Sequence, residues 1–191
     1  MTQALHGRIE VVTGCMFSGK SEELIRRLRR VQYARQSYQL FKPTRDTRDA
    51  VDAVVTHLRD QLPCIPVAST ADLMRQVNST TKVIGIDEAQ WCDREITAAC
   101  NELANRGIRV IVAGLDRDSK NHPFGPLPEL LTAAEQVTKL SAVCTTCGMA
   151  AHFSQLLSQG TEVQLDAEGN VNRLGGAGVY EARCREHFTP A

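Results

Sequence analysis

Gly14-Cys15-Met16-Phe17-Ser18-Gly19-Lys20-Ser21 fits the phosphate-loop pattern G-x-x-x-x-G-K-[ST] without a mismatch. An apolar β-type run, Ile9–Thr13, leads directly into it, and a stretch rich in Leu, Glu and Arg follows. Those flanks are what the motif requires. Between a strand and a helix, consecutive backbone N–H groups turn into one concavity, and the helix N-terminus adds partial positive charge. Lys20 is then placed to reach β- and γ-phosphates, and the Ser21 hydroxyl to ligate Mg²⁺. A second constraint comes from Val83-Ile84-Gly85-Ile86, a buried-type strand ending in Asp87-Glu88-Ala89-Gln90. Mg²⁺ needs an oxygen ligand opposite the serine, and Asp87 supplies one. Glu88 is then a second carboxylate that the metal does not need. A glutamate is too weak a base to strip an alcohol beforehand, but it can orient a hydroxyl and accept its proton late in a loose phosphoryl transfer.

Between these two motifs, strand-like and helix-like stretches alternate. Strands are expected at Ile9–Thr13, Tyr38–Lys42, Val83–Ile86 and Ile108–Ala113. Helices are expected at Lys20–Arg35, Leu73–Val77 (capped by Ser69 or Thr70) and Asp93–Arg106. Short continuous apolar strands alternating with helices predict an α/β fold, a mostly parallel sheet of phosphate-loop type with flanking helices. Both motifs fall at carboxyl ends of strands, where such sheets bind ligands. Arg45, Arg48 and Arg59 are candidate cationic helpers for phosphate, though an arginine in such a place is more often a solvated side chain.

From Ser141 the texture changes: helical periodicity fades, glycine becomes frequent, and Cys144-x-x-Cys147 and Cys184-x-x-His187 appear. Two short hooks of soft ligands meet the tetrahedral demand of structural Zn²⁺; a Cys144–Cys147 redox pair is the alternative. Four protein ligands leave no open position for water, so the metal is structural, and such sites contribute on the order of 10 kcal/mol to ordering their segment. The division expected is residues 1–140 as a nucleotide-binding α/β unit and 141–191 as a small zinc-ribbon-like unit. The glycine-rich run Leu174–Tyr180 is then a loop pinned near both ends, free to approach a ligand through its backbone.

Composition excludes several classes. Lys+Arg and Asp+Glu are 22 each, which leaves no electrostatic appetite for nucleic acid or an anionic membrane. Arg26, Arg27, Arg29 and Arg30 read as a solvated face or a subunit contact. No apolar run reaches membrane-span length, and residues 1–6 lack the layout of a signal peptide. Seven cysteines, an odd and uneven set, argue against a secreted disulfide framework and for the cytoplasm.

Taken together, these residues closely resemble the cellular-type (type II) thymidine kinases. The likeness runs nearly end to end: Gly14–Ser21, Asp46-Thr47-Arg48, Ile86–Gln90, Gly114-Leu115-Asp116, Pro123-Phe124-Gly125, the Cys/His quartet, and Gly175-Gly176 through Tyr180. The resemblance implies transfer of the ATP γ-phosphate to the 5′-hydroxyl of thymidine or deoxyuridine, with Glu88 as general base. It places Gly14 through Ser21 with Asp87 and Gln90 on the ATP side. Ser21 and Asp87 hold Mg²⁺, and Cys144, Cys147, Cys184 and His187 hold Zn²⁺. It places Met16, Leu115 and Phe124 along the thymine wall, Ser154 beside the base, and Gly175, Gly176 and Tyr180 in a lasso closing over the nucleoside. It also implies a homotetramer and feedback binding of dTTP. The chain departs from some members at Leu58, where an aspartate stands near the metal, at Trp91, often phenylalanine, and at His187, often cysteine. Two other readings remain: a phosphate-loop ATPase in which Glu88 positions water, and a zinc-ribbon nucleic-acid module. Thr161–Tyr180 carries Glu162, Asp166 and Glu168 against Arg173, the wrong balance for the second.

Overall fold

A computed structural model describes residues 7–44, 53–55, 61–157, 163–165, 171–173 and 178–190. In chain order the first elements are β1 (Arg8–Thr13), α1 (Lys20–Tyr33), β2 (Tyr38–Pro43), β3 (Ala53–Val55), β4 (Gln61–Pro63), β5 (Ile65–Val67) and α2 (Thr70–Gln76). They are followed by β6 (Val83–Ile86), a 3-10 turn (Ala89–Trp91), α3 (Ile96–Asn105), β7 (Arg109–Gly114), α4 (Leu127–Ala133) and β8 (Gln136–Lys139). The last are β9 (Ala142–Val143), β10 (Ala150–Ala151), β11 (Phe153–Leu156), β12 (Val163–Leu165), β13 (Val171–Arg173) and β14 (Tyr180–Arg183).

Six strands form one parallel sheet in the order β5-β2-β6-β7-β1-β8. The expected parallel α/β sheet is therefore present, and its central strands are covered on both faces. Alternate residues of β1 show why. Ile9 and Val11 join the core with Cys100 and Leu103 of α3 and Leu127 and Leu130 of α4. Val12 joins the opposite core with Leu24, Ile25, Leu28 and Val31 of α1, and with Val54 and Leu62 of the β3–β4 hairpin. α1 thus packs on one face and α3 and α4 on the other, and the carboxyl ends of the central strands are where such sheets bind ligands.

Two element boundaries differ from expectation for a visible reason. α3 begins at Ile96 rather than Asp93, because the Asp93 carboxylate accepts from the Thr70 backbone N–H at 2.9 Å and from the Thr70 hydroxyl. That acid serves the first turn of α2, which starts at Thr70 with Ser69 as cap, its Oγ accepting from Asp72 N at 3.2 Å. One of the four arginines of the expected basic face on α1 is spent internally. Arg27 is buried and donates to Glu10 and Glu23, and Arg26 pairs with Glu23. After β8 the chain forms separate two-stranded antiparallel pairs, β9–β10, β11–β14 and β12–β13.

Candidate active site

The Gly14–Ser21 loop sits where β1 ends and α1 begins, as the motif demands. Gly14 has φ +148, and a Cβ there would lie 2.5 Å from the Leu140 carbonyl oxygen, so only glycine fits. The loop is braced from within: Ser18 Oγ donates to Cys15 O at 2.8 Å and Lys20 Nζ to the same oxygen at 2.9 Å. It is also braced by the chain's later half. Met16 N donates to Ser154 Oγ at 3.0 Å, and Cys15 Sγ to Ala151 O at 3.3 Å. Cys15 packs with Ala142, Cys144, Ala151 and Ala182.

β7 separates β1 from β6, so the loop and the acidic strand tip start two strand spacings apart, about 10 Å. The first turn of α1 spans that gap. Ser21 Oγ donates to Asp87 at 3.0 Å from Oδ2 and 3.3 Å from Oδ1. Asp87 is 4% exposed, and burial together with the neighbouring Glu88 charge pushes its carboxyl up to about 7, against the Ser21 hydrogen bond. Two oxygen donors crowded at a point where negative charge is disfavoured fit a hard divalent cation, which would relieve that penalty.

Glu88 stands one residue beyond, in the left-handed region at φ +52, which turns its side chain away from the strand direction. Gln90 Nε2 donates to Glu88 Oε2, and Gln90 Oε1 accepts from Leu115 N at 3.0 Å. Its amide therefore faces Glu88 and the end of β7. Leu115, Phe124 and Trp91 pack into one buried apolar cluster with Met16 against it, and the Trp91 and Phe124 rings meet edge to face at 5.2 Å. The residues expected to form the thymine wall thus meet each other; Met16 belongs to the loop, and Leu115 is joined to Glu88 through Gln90. Ser154 lies on β11, opposite Ala182 of β14, and Tyr180 begins β14 and is buried. Gly175 and Gly176, Arg45, Arg48 and Arg59, and Leu58 lie outside the described residues.

Cys144, Cys147, Cys184 and His187 converge, with their ligand atoms all within 4.8 Å of one another. Cys147 Sγ and Cys184 Sγ are 3.7 Å apart, and Cys184 Sγ and His187 Nδ1 3.2 Å. A tetrahedral zinc with Zn–S near 2.3 Å has an S···S edge of about 3.8 Å, so the donor set fits that ion. His187 holds the Cys184 thiol low and Cys184 raises the His187 imidazole, because a thiolate and an imidazolium in contact favour each other's charge.

Two contacts escaped sequence reading. The Asp116 carboxylate takes Lys139 Nζ at 2.6 Å, joining the ends of β7 and β8. The Arg117 guanidinium lies 4.6 Å over the Phe153 ring, which stacks on Phe188, so the loop after β7 is clamped to β11. Neither pairing leaves a local signal, since the partners are more than twenty residues apart in the chain.

A family model for thymidine kinase matches residues 7–188. The match spans most of the sequence, and the chain belongs to the thymidine kinase family. Membership implies a kinase whose substrates are thymidine and ATP.

Proposed function

We propose that this protein transfers the γ-phosphate of ATP to the 5′-hydroxyl of thymidine, and of deoxyuridine, for pyrimidine deoxynucleotide salvage. The observation that carries the reading is the Ser21–Asp87 contact. It draws the Gly14–Ser21 loop to the tip of β6, one residue before Glu88, and Gln90 links Glu88 to Leu115 of the apolar cluster with Phe124 and Met16, which supports one shared site. In this reading the Gly14–Ser21 backbone cradles the phosphates, and Lys20 leaves Cys15 O to meet their charge. Ser21 and Asp87 hold Mg²⁺, which when bound neutralises charge developing between the β- and γ-phosphates. Glu88 orients the 5′-hydroxyl and takes its proton as the bond to phosphorus forms.

The base lies against Leu115 and Phe124, within reach of the Ser154 hydroxyl, whose oxygen already accepts from Met16 N while its hydrogen is free to turn. Gly175, Gly176 and Tyr180 close over it. Deoxyuridine differs by one methyl, worth about 1–3 kcal/mol in an apolar pocket, so it remains a substrate. Zn²⁺ on the Cys/His quartet is structural and anchors residues 141–191 as a lid unit on an α/β unit of residues 1–140. No described helix is long and apolar enough to cross a membrane, and neither charge balance nor fold calls for nucleic acid. Cytoplasmic location, on the cysteine usage, and a homotetramer and inhibition by dTTP, on the resemblance alone, complete the proposal.

A nucleoside panel with γ-labelled ATP tests it. Label should appear in the 5′-monophosphates of thymidine and deoxyuridine and not in purine nucleosides. ATP hydrolysis at full rate without any nucleoside would instead support a nucleotide switch.

A further inference from the structure

Gln90 is 1% exposed, and both ends of its amide are used. Its Oε1 accepts from the Leu115 backbone N–H at 3.0 Å, and its Nε2 donates to Glu88 Oε2. The first bond fixes the second. A backbone N–H can only donate, so the oxygen end must face Leu115 and the nitrogen end must face the carboxylate. Packing closes the seat from two sides. A Cβ on Gly114 would come within 3.0 Å of Gln90 Oε1, and one on Gly125 would come within 2.3 Å of the Gln90 carbonyl oxygen. A buried amide with one orientation therefore reaches a carboxylate whose own backbone is held in the left-handed region.

We propose that Gln90 is a positioning residue: its amide aims the Glu88 carboxylate at the acceptor hydroxyl and ties it to the backbone of Leu115 at the nucleoside wall. This rests on Glu88 acting as the base. A glutamate side chain has three rotatable bonds, and proton transfer tolerates little misplacement. A donor locked from behind restricts those rotamers before substrate arrives. The same amide connects the residue that touches the base with the residue that takes the proton, so pocket and proton acceptor are set by one group.

Gln90→Glu separates the two bonds. It keeps an oxygen for Leu115 N and replaces the amide donor facing Glu88 with a carboxyl, which competes with Glu88 for one proton instead of only orienting it. Gln90→Met keeps the volume and removes both bonds. The expected result for Gln90→Glu is a fall in kcat of about 10- to 100-fold, the effect of losing one hydrogen bond to a charged group. KM for ATP and thymidine should stay within about threefold. In a Glu88→Ala background, the same substitution should change the remaining turnover by less than about twofold, because its partner is gone. Gln90→Met should match the kcat loss and also raise KM for thymidine, since it leaves Leu115 N–H buried without an acceptor. If Gln90→Met fails to fold, Gln90→Glu decides alone. Equal fold-losses with and without Glu88, or wild-type kcat in Gln90→Glu, overturns the proposal. Wild-type turnover in Glu88→Ala alone overturns the assignment of Glu88 instead, so the two failures are distinguishable.

Discussion

Glu10 offers the most quantitative test of how the sheet holds its loop. It is 1% exposed on β1, four residues before Gly14, and it receives Arg8 and Arg109 at 2.7 Å and Arg27 at 2.8 Å. Burial alone raises its carboxyl, but the guanidinium groups of Arg109 and Arg8 overcome that and hold it at about 2, against an ordinary 4.5. At about 1.4 kcal/mol per pH unit, this is worth on the order of 3 kcal/mol at neutral pH. Glu10→Gln keeps the shape and removes the charge, leaving buried Arg27 with Glu23 as its remaining carboxylate partner. A loss of about 3 kcal/mol is expected at pH 7, at the lower end for breaking a buried pair. For a chain of this length that is a fall in melting temperature of about 6–12 °C. The sign of the pH dependence follows from the lowered folded-state value. The contribution is fully present above pH 4.5 and is lost as pH falls through about 2. Urea unfolding of both proteins between pH 8 and 3.5 is the assay. The gap should be constant to about pH 5 and then narrow by about 1.4 kcal/mol per unit below 4.5. A gap under about 1 kcal/mol at pH 7, or one that stays constant down to pH 3.5, refutes the reasoning.

Cys147→Ser should lose zinc together with order in the β9–β14 region, read by metal analysis and by protease sensitivity; full zinc occupancy would contradict the quartet. Ser154→Ala leaves Met16 N–H without its acceptor, at a cost of about 1–3 kcal/mol, and should raise KM for thymidine in steady-state assays. Gly125→Ala puts a Cβ 2.3 Å from the Gln90 carbonyl at φ +50, so a loss of about 2–4 kcal/mol is expected in thermal melts; a neutral result would mean that the turn holding Phe124 relaxes freely.

What the sequence revealed was what is local. The strand–loop–helix at Gly14–Ser21 and the acid pair after β6 are contiguous motifs with apolar flanks. The hooks Cys144–Cys147 and Cys184–His187 each carry their own spacing. β1, β6 and β7 were legible because strands buried on both faces are continuous apolar runs. β8 was not, since Gln136–Lys139 is a polar edge strand held by β1 alone. β5 carries Pro66, which reads as a breaker but is tolerated at a sheet edge. α4 buries only Leu127 and Leu130 fully, with Leu131 and Ala133 half-buried against the core, too short a stretch to show a period. Of the candidate site, residue identities were readable but their pairings were not. The resemblance places Gln90 on the ATP side; what the sequence alone does not show is that its amide bonds Glu88 and Leu115, twenty-five residues away. Glu10 sits within an otherwise apolar strand, and the arginines converging on it from β1, α1 and β7 explain it.

The central claim is that Glu88 and the Gly14–Ser21 loop serve one reaction at one crevice. Glu88→Gln, measured for turnover and for ATP binding on the same preparation, tests it most directly. Turnover should fall about 10²–10⁴-fold while ATP affinity stays nearly unchanged, as for removal of a general base beside an intact phosphate site. Turnover close to wild type would contradict the claim.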